Sequence, residues 1–137
     1  MTAAVRYYTR SGNTKRMAEA AAEVLGLEAL TVEEDLSEKT ELLFLGSAMY
    51  AWNADKSVVA FLSRNREKIG KIVVFGSSAS GKSTHAKLAE CAETLGIAID
   101  PDYYSCPGHF LFMNKERPNE ADLDALKAFV KTKAALS

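Results

Sequence analysis

Apolar and polar positions along the chain repeat with two alternating periods. Short, almost continuous apolar runs are typical of buried strands, and they cover residues 3–8, 42–46 and 72–75. Segments in which apolar side chains recur every three or four positions are typical of helices with one buried face, and they cover residues 14–25, 55–68, 83–95 and 119 onward. Strands that alternate with helices predict a parallel sheet with helices on both faces.

Three weaker segments complete this pattern. Residues 27–32 predict a second strand, and the polar residues 33–40 leave room for about one helical turn. Residues 97–112 contain the last strand, which we expect to be interrupted near Pro101 and Pro107, because proline donates no hydrogen bond to a sheet. The predicted order therefore has five strands and four helices, with at most one further helical turn.

Glycine and polar residues mark the predicted helix ends. Gly26, Gly70 and Gly96 follow three amphipathic segments, where a left-handed residue commonly ends a helix. Asn119 and Asp122 have the spacing of a capping pair and predict the start of the last helix.

Composition narrows the class of protein. The 137 residues carry a formal net charge of −1, and 47% of them are apolar, which is typical of a single soluble domain. A nearly neutral chain offers no basic surface to nucleic acid, and the longest nearly apolar stretch, residues 42–52, is too short to cross a bilayer. Cys91 and Cys106 suggest no disulfide framework, no Cys/His spacing fits a metal site, and the start of the chain shows no signal peptide. We therefore expect a cytoplasmic protein that is monomeric or weakly dimeric.

Candidate chemistry is concentrated in three loops that follow predicted strands. In parallel sheets, ligands bind beyond the carboxyl ends of the strands, where the strand order reverses. The loops cover residues 9–14, 47–53 and 76–83. We expect them to lie together at one edge of the sheet.

The first loop has the residues of an anion site at a helix N-terminus. It consists of Thr9, Arg10, Ser11, Gly12, Asn13 and Thr14. Gly12 permits a close approach of the backbone to an anion, and the main-chain N–H groups at the helix start carry partial positive charge. Such a loop is suited to a phosphate dianion, although a plain helix cap would use the same residue types.

The second loop carries two aromatic residues directly after a buried strand. It consists of Ser47, Ala48, Met49, Tyr50, Ala51, Trp52 and Asn53. An aromatic side chain over a pocket stacks on flat heterocycles. The alternative is that Tyr50 or Trp52 folds over its own helix.

The third loop matches the nucleotide-binding pattern G-x-x-x-x-G-K-[ST]. The matching residues are Gly76, Gly81, Lys82 and Ser83. Nucleotide hydrolysis also needs an aspartate that holds magnesium after another strand. Asp100 imitates that aspartate only weakly, because Pro101 follows it and little chain remains. A glycine- and serine-rich loop before a helix also meets the pattern by chance, and the first loop is the better anion site.

The chain resembles the flavodoxin family over nearly its whole length. The resemblance lies in the stretches YYTRSGNTK at 7–15, LFLGSAMY at 43–50, VVFGSS at 73–78 and CPGHF at 106–110, followed by RPNEADL at 117–123. It implies a flavodoxin-like three-layer α/β sandwich whose five-stranded parallel sheet has the order 2-1-3-4-5. It also implies noncovalent FMN and the transfer of single electrons between a reductase and an acceptor protein.

The resemblance implies that each loop contacts a different part of FMN. The first loop would wrap the FMN phosphate, and the second would pack on one side of the isoalloxazine through Tyr50 or Trp52. The third would follow the pyrimidine edge and the other ring face, through Gly76, Ser77, Ser78, Ser80 and Gly81.

Several residues depart from the family pattern. Residues 48–53 contain no glycine, so a backbone flip that stabilises the semiquinone would depend on Asn53. Ser78 and Ser80 stand where an aromatic often covers the ring, and Arg10 and Lys82 add positive charge. These features predict an accessible flavin that is less reducing than in acidic flavodoxins. The alternatives are an FMN-dependent NAD(P)H:quinone-type reductase and a flavodoxin-fold domain that binds no flavin. His85, after the third loop, is expected to be solvated.

Overall fold

The computed structural model describes residues 2–9, 12–47, 56–78, 84–107 and 118–135. Its five strands form one sheet: β1 (Ala3–Tyr7), β2 (Ala29–Thr31), β3 (Thr40–Gly46), β4 (Ile69–Ser78) and β5 (Ala98–Pro107). All neighbouring pairs are parallel, and their order is β2-β1-β3-β4-β5. The predicted fold class and strand order are therefore confirmed.

Four helices accompany the sheet within the described ranges: α1 (Asn13–Leu25), α2 (Lys56–Asn65), α3 (His85–Leu95) and α4 (Glu120–Ala135). A single 3₁₀ turn, Arg66–Lys68, follows α2. None of the helices in these ranges is both long and apolar enough to cross a membrane.

Each face of the sheet has its own apolar core. Phe44 and Phe75 pack with Met17 of α1 and Leu126 of α4 on one face. The alternate strand positions, including Leu43, Leu45 and Val74, pack with α2 and α3 on the other face. Because successive side chains of a strand point to opposite faces, continuous apolar runs bury both sides of the central strands.

The predicted helix ends are confirmed in three of four cases. Gly26 and Gly96 are left-handed, with φ of 67° and 73°, and their N–H groups bond to carbonyls of the last helical turn. The Asn119 N–H donates to Asp122 Oδ2 at 2.8 Å, and the Asp122 N–H donates to Asn119 Oδ1 at 2.9 Å. The prediction for Gly70 is wrong, because this residue lies inside β4.

The connection between β2 and β3 has turns and bends where one helical turn was predicted. Val32 and Leu36 lie in the apolar core, so this connection covers part of the sheet as a helix would. The buried Arg6 holds it by donating from Nε to the Glu34 carbonyl at 2.8 Å and from NH2 to the Asp35 carbonyl at 3.2 Å. Burial lowers the pKa of Arg6, an effect that the neighbouring Glu34 and Asp35 carboxylates oppose.

Asn65 fixes the same connection from the end of α2. Its Oδ1 accepts from the Leu36 N–H at 2.9 Å, and its Nδ2 donates to the Phe61 carbonyl at 2.9 Å and to Asp35 Oδ1 at 3.1 Å. Asn65 is 2% exposed, so its bonds are shielded from water. Buried amides with satisfied donors and acceptors specify one chain path.

Strand β5 continues through Pro101, contrary to the predicted interruption, but with a shift of register. Ile72 pairs with Ile99 and Val74 with Tyr103, so β5 advances four residues while β4 advances two. The extra residues bulge out around Pro101, which is tolerated because β5 is an edge strand.

The charged contacts of this bulge are centred on the Asp100 carboxylate. Its Oδ1 accepts from the Asp102 N–H at 2.9 Å and from Lys133 Nζ at 3.0 Å, and its Oδ2 lies 3.5 Å from Lys71 Nζ. Burial alone would raise the pKa of Asp100. The hydrogen bonds from Asp102 and Lys133 and the charges of Lys133 and Lys71 outweigh burial and lower this pKa.

Asn65→Ala is expected to lower the free energy of unfolding by about 2 to 3 kcal/mol, because it leaves buried main-chain groups without partners. Arg64→Ala is the matched control. Arg64 also contacts Asp35 and donates to the Val32 carbonyl at 3.1 Å, but the side chains of Arg64 and Asp35 are 45% and 58% exposed, so a smaller loss is expected. Urea unfolding measures both, and equal losses would contradict the role given to Asn65.

Asp100→Asn is expected to destabilise the protein at neutral pH, with an effect that disappears in acid. The folded-state pKa of Asp100 lies below the unfolded value of about 3.9, so the carboxylate stabilises the fold above that pH. This contribution is lost as the pH falls through the folded pKa. Urea unfolding at several pH values should therefore show wild type and variant converging below about pH 4. Glu19→Gln, at an exposed position of α1, is the control. A difference in unfolding free energy between wild type and Asp100→Asn that does not depend on pH would refute the stabilising role of the Asp100 carboxylate.

Candidate functional site

The carboxyl ends of β1, β3 and β4 lie side by side. Tyr7 pairs with Gly46, and Gly46 pairs with Phe75. Main-chain bonds continue this order beyond the strands, because the Tyr8 N–H donates to the Gly46 carbonyl at 3.0 Å and the Ser47 N–H donates to the Phe75 carbonyl at 3.1 Å. The three candidate loops therefore leave the sheet from adjacent points.

Two glycines permit this close arrangement. A Cβ atom on Gly76 would lie 1.9 Å from the Ser47 carbonyl oxygen, and a Cβ atom on Gly46 would lie 2.5 Å from the Phe75 ring. Both distances are far inside van der Waals contact, so larger residues would separate the strand ends. Glycine at these positions is required by space and not by backbone conformation.

Glycine at position 12 is required by backbone conformation and not by space. Its φ is 89°, in the left-handed region, and a Cβ atom there would have no neighbour within 4 Å. Its N–H donates to Thr9 Oγ1 at 2.9 Å, which closes the turn that leads into α1. The first helical hydrogen bond runs from the Arg16 N–H to the Gly12 carbonyl.

The N-terminus of α1 keeps its positive character. Gly12 provides no side-chain cap, and the first turn contains no acidic residue. The N–H groups of the first turn precede the first helical hydrogen bond and have no partner within the helix itself. Asn13 and Thr14 are both buried at this end. The end of the helix dipole therefore favours an anion.

Thr14 carries a buried hydroxyl without a partner. The residue is 0% exposed, and within the described ranges its Oγ1 makes no hydrogen bond. Its Cγ2 lies 3.0 Å from the position of a Cβ atom on Gly46, which places it beside the end of β3. A buried polar atom without a protein partner costs free energy, so this hydroxyl is a candidate hydrogen-bonding group for a ligand or a water molecule.

Two further hydroxyls share this property and were missed by the sequence reasoning. Thr84 Oγ1 and Ser105 Oγ are buried without a hydrogen-bond partner among the residues described. Thr84 precedes α3 and is 2% exposed, whereas Ser105 pairs with Gly76 across the sheet. A hydroxyl residue between a loop and a helix was a usable signal for Thr84, but no local signal marks Ser105.

The structure brings together the predicted site residues that it describes. These are Thr9, Gly12, Asn13, Thr14, Ser47, Gly76, Ser77 and the main chain of Ser78. The other predicted residues lie outside the described ranges: Arg10, Ser11, Ala48, Met49, Tyr50, Ala51, Trp52, Asn53, Ser80 and Gly81. Which aromatic side chain contacts a ligand therefore stays a prediction.

Two other sequence interpretations are resolved by contacts in β5. Asp100 is bound to Lys133 and Lys71, so this carboxylate serves the bulge, which argues against a magnesium-holding role. His85 was expected to be solvated, but its Nε2 lies 2.8 Å from the Asp100 carbonyl oxygen. Among the described residues, no cluster of three or more His, Cys, Asp or Glu side chains is arranged to hold a metal.

Comparison with known proteins supports the fold more strongly than any activity. No protein-family model matches the chain. An uncharacterized protein of Methanocaldococcus jannaschii is 25% identical, and the alignment covers 88% of this chain and 89% of that protein.

Solved structures match over nearly the whole chain. A flavodoxin from the domain Archaea has a TM-score of 0.73 at 20% identity, covering 98% of this chain and 97% of its own. Flavodoxin 1 of Bacillus cereus has a TM-score of 0.70 at 20% identity, covering 96% and 95%. Rubredoxin oxygen:oxidoreductase of Desulfovibrio gigas has a TM-score of 0.71 at 19% identity, covering 98% of this chain but 37% of that protein. The chain therefore has the flavodoxin-like fold, with its candidate site at the edge where flavodoxin-like sheets present their loops.

Proposed function

We propose that the protein binds FMN noncovalently at the carboxyl edge of its sheet and carries single electrons between a reductase and an acceptor protein. The unpartnered Thr14 hydroxyl at the uncapped start of α1 is the observation that carries this proposal. The flavodoxins and flavoproteins among the structural neighbours support a flavin as the ligand.

The phosphate of FMN fits the chemistry of the first loop. A phosphate monoester accepts several hydrogen bonds, and the start of α1 offers main-chain N–H groups together with the Thr14 hydroxyl. No carboxylate stands in the first turn to repel a dianion. Binding would give the Thr14 hydroxyl a partner, which it lacks among the described residues, and so would remove a cost that the flavin-free fold carries.

We propose that the flavin ring binds beside the carboxyl ends of β3 and β4, as the resemblance to flavodoxins implies. Ser47 and Gly76 lie in direct main-chain proximity there, because the absent side chain of Gly76 leaves room for the Ser47 carbonyl. Tyr50 or Trp52 is proposed as the aromatic contact on one ring face. When bound, the flavin would supply the one-electron chemistry, and the protein would hold and orient it.

The low net charge of the chain affects how it would recognise its partner proteins. A formal net charge of −1 gives little long-range attraction to basic proteins. Recognition of the reductase and the acceptor would therefore depend on short-range contacts around the loops, and complex formation should respond weakly to salt.

Thr14→Val tests the phosphate contact, because valine keeps the shape of threonine and removes only the hydroxyl. We expect the dissociation constant for FMN to rise about tenfold or more, corresponding to one hydrogen bond to a charged group. Fluorescence quenching of FMN measures this constant. The flavin-free variant should unfold at the same temperature or higher, since an unpaired buried hydroxyl has been removed.

Riboflavin, which lacks the phosphate, provides the comparison within this experiment. Wild type should prefer FMN over riboflavin by a large factor, and Thr14→Val should narrow that preference. Thr94→Val is the matched control, because the exposed Thr94 hydroxyl donates to the Glu90 carbonyl of its own helix. Equal affinity of wild type for the two flavins would overturn the assignment of the phosphate to α1.

Reduction by NAD(P)H distinguishes a carrier from a reductase. We expect the flavin absorbance of the loaded protein to remain oxidised when NADH or NADPH is added anaerobically, and to bleach when a flavodoxin reductase is added as well. Rapid bleaching by NAD(P)H alone would replace the carrier with the NAD(P)H:quinone-type reductase. Colourless protein that takes up no FMN would instead indicate a flavodoxin-fold domain without flavin.

A further inference from the structure

His85 connects the first turn of α3 to the edge strand β5. Its Nε2 donates to the Asp100 carbonyl at 2.8 Å, since a carbonyl only accepts. Its ring stacks on Tyr103, with centroids 4.7 Å apart and an angle of 22° between the planes. A hydrogen bond and a stacking contact thus join the same side chain to both sides of the bulge.

The carbonyl that His85 contacts belongs to a well-fixed residue. The Asp100 side chain is held by Lys133 from α4, by Lys71 from β4 and by the Asp102 N–H. Lys133 Nζ also lies 2.7 Å from Asp102 Oδ2, so one ammonium group bridges both carboxylates of the bulge. Asp100 therefore offers α3 a rigid point of attachment.

The start of α3 is also the end of the third candidate loop. The chain leaves β4 at Ser78, which pairs with Pro107, and the described chain resumes at Thr84. The Leu88 N–H bonds to the Thr84 carbonyl at 3.0 Å, which makes Thr84 the residue before the first helical turn. Its hydroxyl, which has no hydrogen-bond partner among the described residues, lies one residue from His85. The end of β4 and the start of α3 are thus both attached to β5.

We infer that His85 is a positioning residue for the start of α3: its contacts with Asp100 and Tyr103 fix the first turn of the helix against β5 and hold the neighbouring Thr84 in place. This inference rests on the proposed function for its effect on FMN, but the fixing of α3 is a property of the flavin-free protein. On this inference, the bulge in β5 accommodates Pro101 and also anchors the start of α3.

Three substitutions separate the contacts of His85. His85→Phe keeps an aromatic ring for Tyr103 and loses the hydrogen bond, whereas His85→Gln keeps a side-chain N–H donor. Lys87→Met is the control, because Lys87 lies in the same helical turn and its ammonium group lies 3.8 Å from Glu90 Oε2 of its own helix. The readouts are the FMN dissociation constant, the visible circular dichroism of bound flavin, and amide hydrogen exchange at the start of α3 in the flavin-free protein.

His85→Phe is expected to raise the FMN dissociation constant about tenfold, to change the flavin dichroism and to speed exchange in the first turn of α3. His85→Gln should recover most of the affinity, and Lys87→Met should resemble wild type. Unchanged affinity and dichroism in His85→Phe, with lower stability alone, would overturn the positioning role. If wild type takes up no FMN, the proposed function fails. Hydrogen exchange then decides separately whether His85 fixes α3, and exchange equal to wild type in His85→Phe would refute that too.

Discussion

The parallel pairing of β1, β3 and β4 is the constraint on which the rest of the structure depends. Hydrogen bonds from Tyr8 to Gly46 and from Ser47 to Phe75 carry this pairing past the strand ends. Gly46 and Gly76 allow it, because a methyl group at either position would overlap a neighbouring residue. The carboxyl ends of these strands consequently lie side by side, and α1 begins at the same edge of the sheet.

Buried polar side chains near the carboxyl edge of the sheet differ in their hydrogen bonding from those elsewhere. Arg6 and Asn65 are buried with hydrogen-bond partners, and they fix a connection that has no helix of its own. Thr14, Thr84 and Ser105 instead keep buried hydroxyls without partners in the described chain. Hydroxyls whose hydrogen-bonding capacity is unused are available to a ligand or to water, whereas the polar groups of Arg6 and Asn65 already serve the fold.

Much of the candidate site was predictable, since parallel strands place their carboxyl ends at one edge. Thr9, Gly12 and Ser47 lie where the order of strands and loops predicts, and Gly12 is left-handed. Gly76, predicted to lie in a loop, is instead part of β4, because pairing with β5 extends that strand to Ser78. The partner of His85 was not predictable. Its contact with Asp100 depends on a bulge in β5, and a bulge arises from the fit of two strands.

By itself the sequence determined the order of strands and helices, the glycine ends of α1 and α3, and the Asn119–Asp122 cap. Each of these depends on residues within a few positions of one another, so hydrophobic period and capping chemistry suffice. Only the tertiary structure decided the length of β4, the path of β5 through Pro101 and the chain path of residues 33–40. Those features rest on contacts between distant positions, such as Arg6 with Glu34 and Lys133 with Asp100. Such contacts form only when packing brings separate elements together.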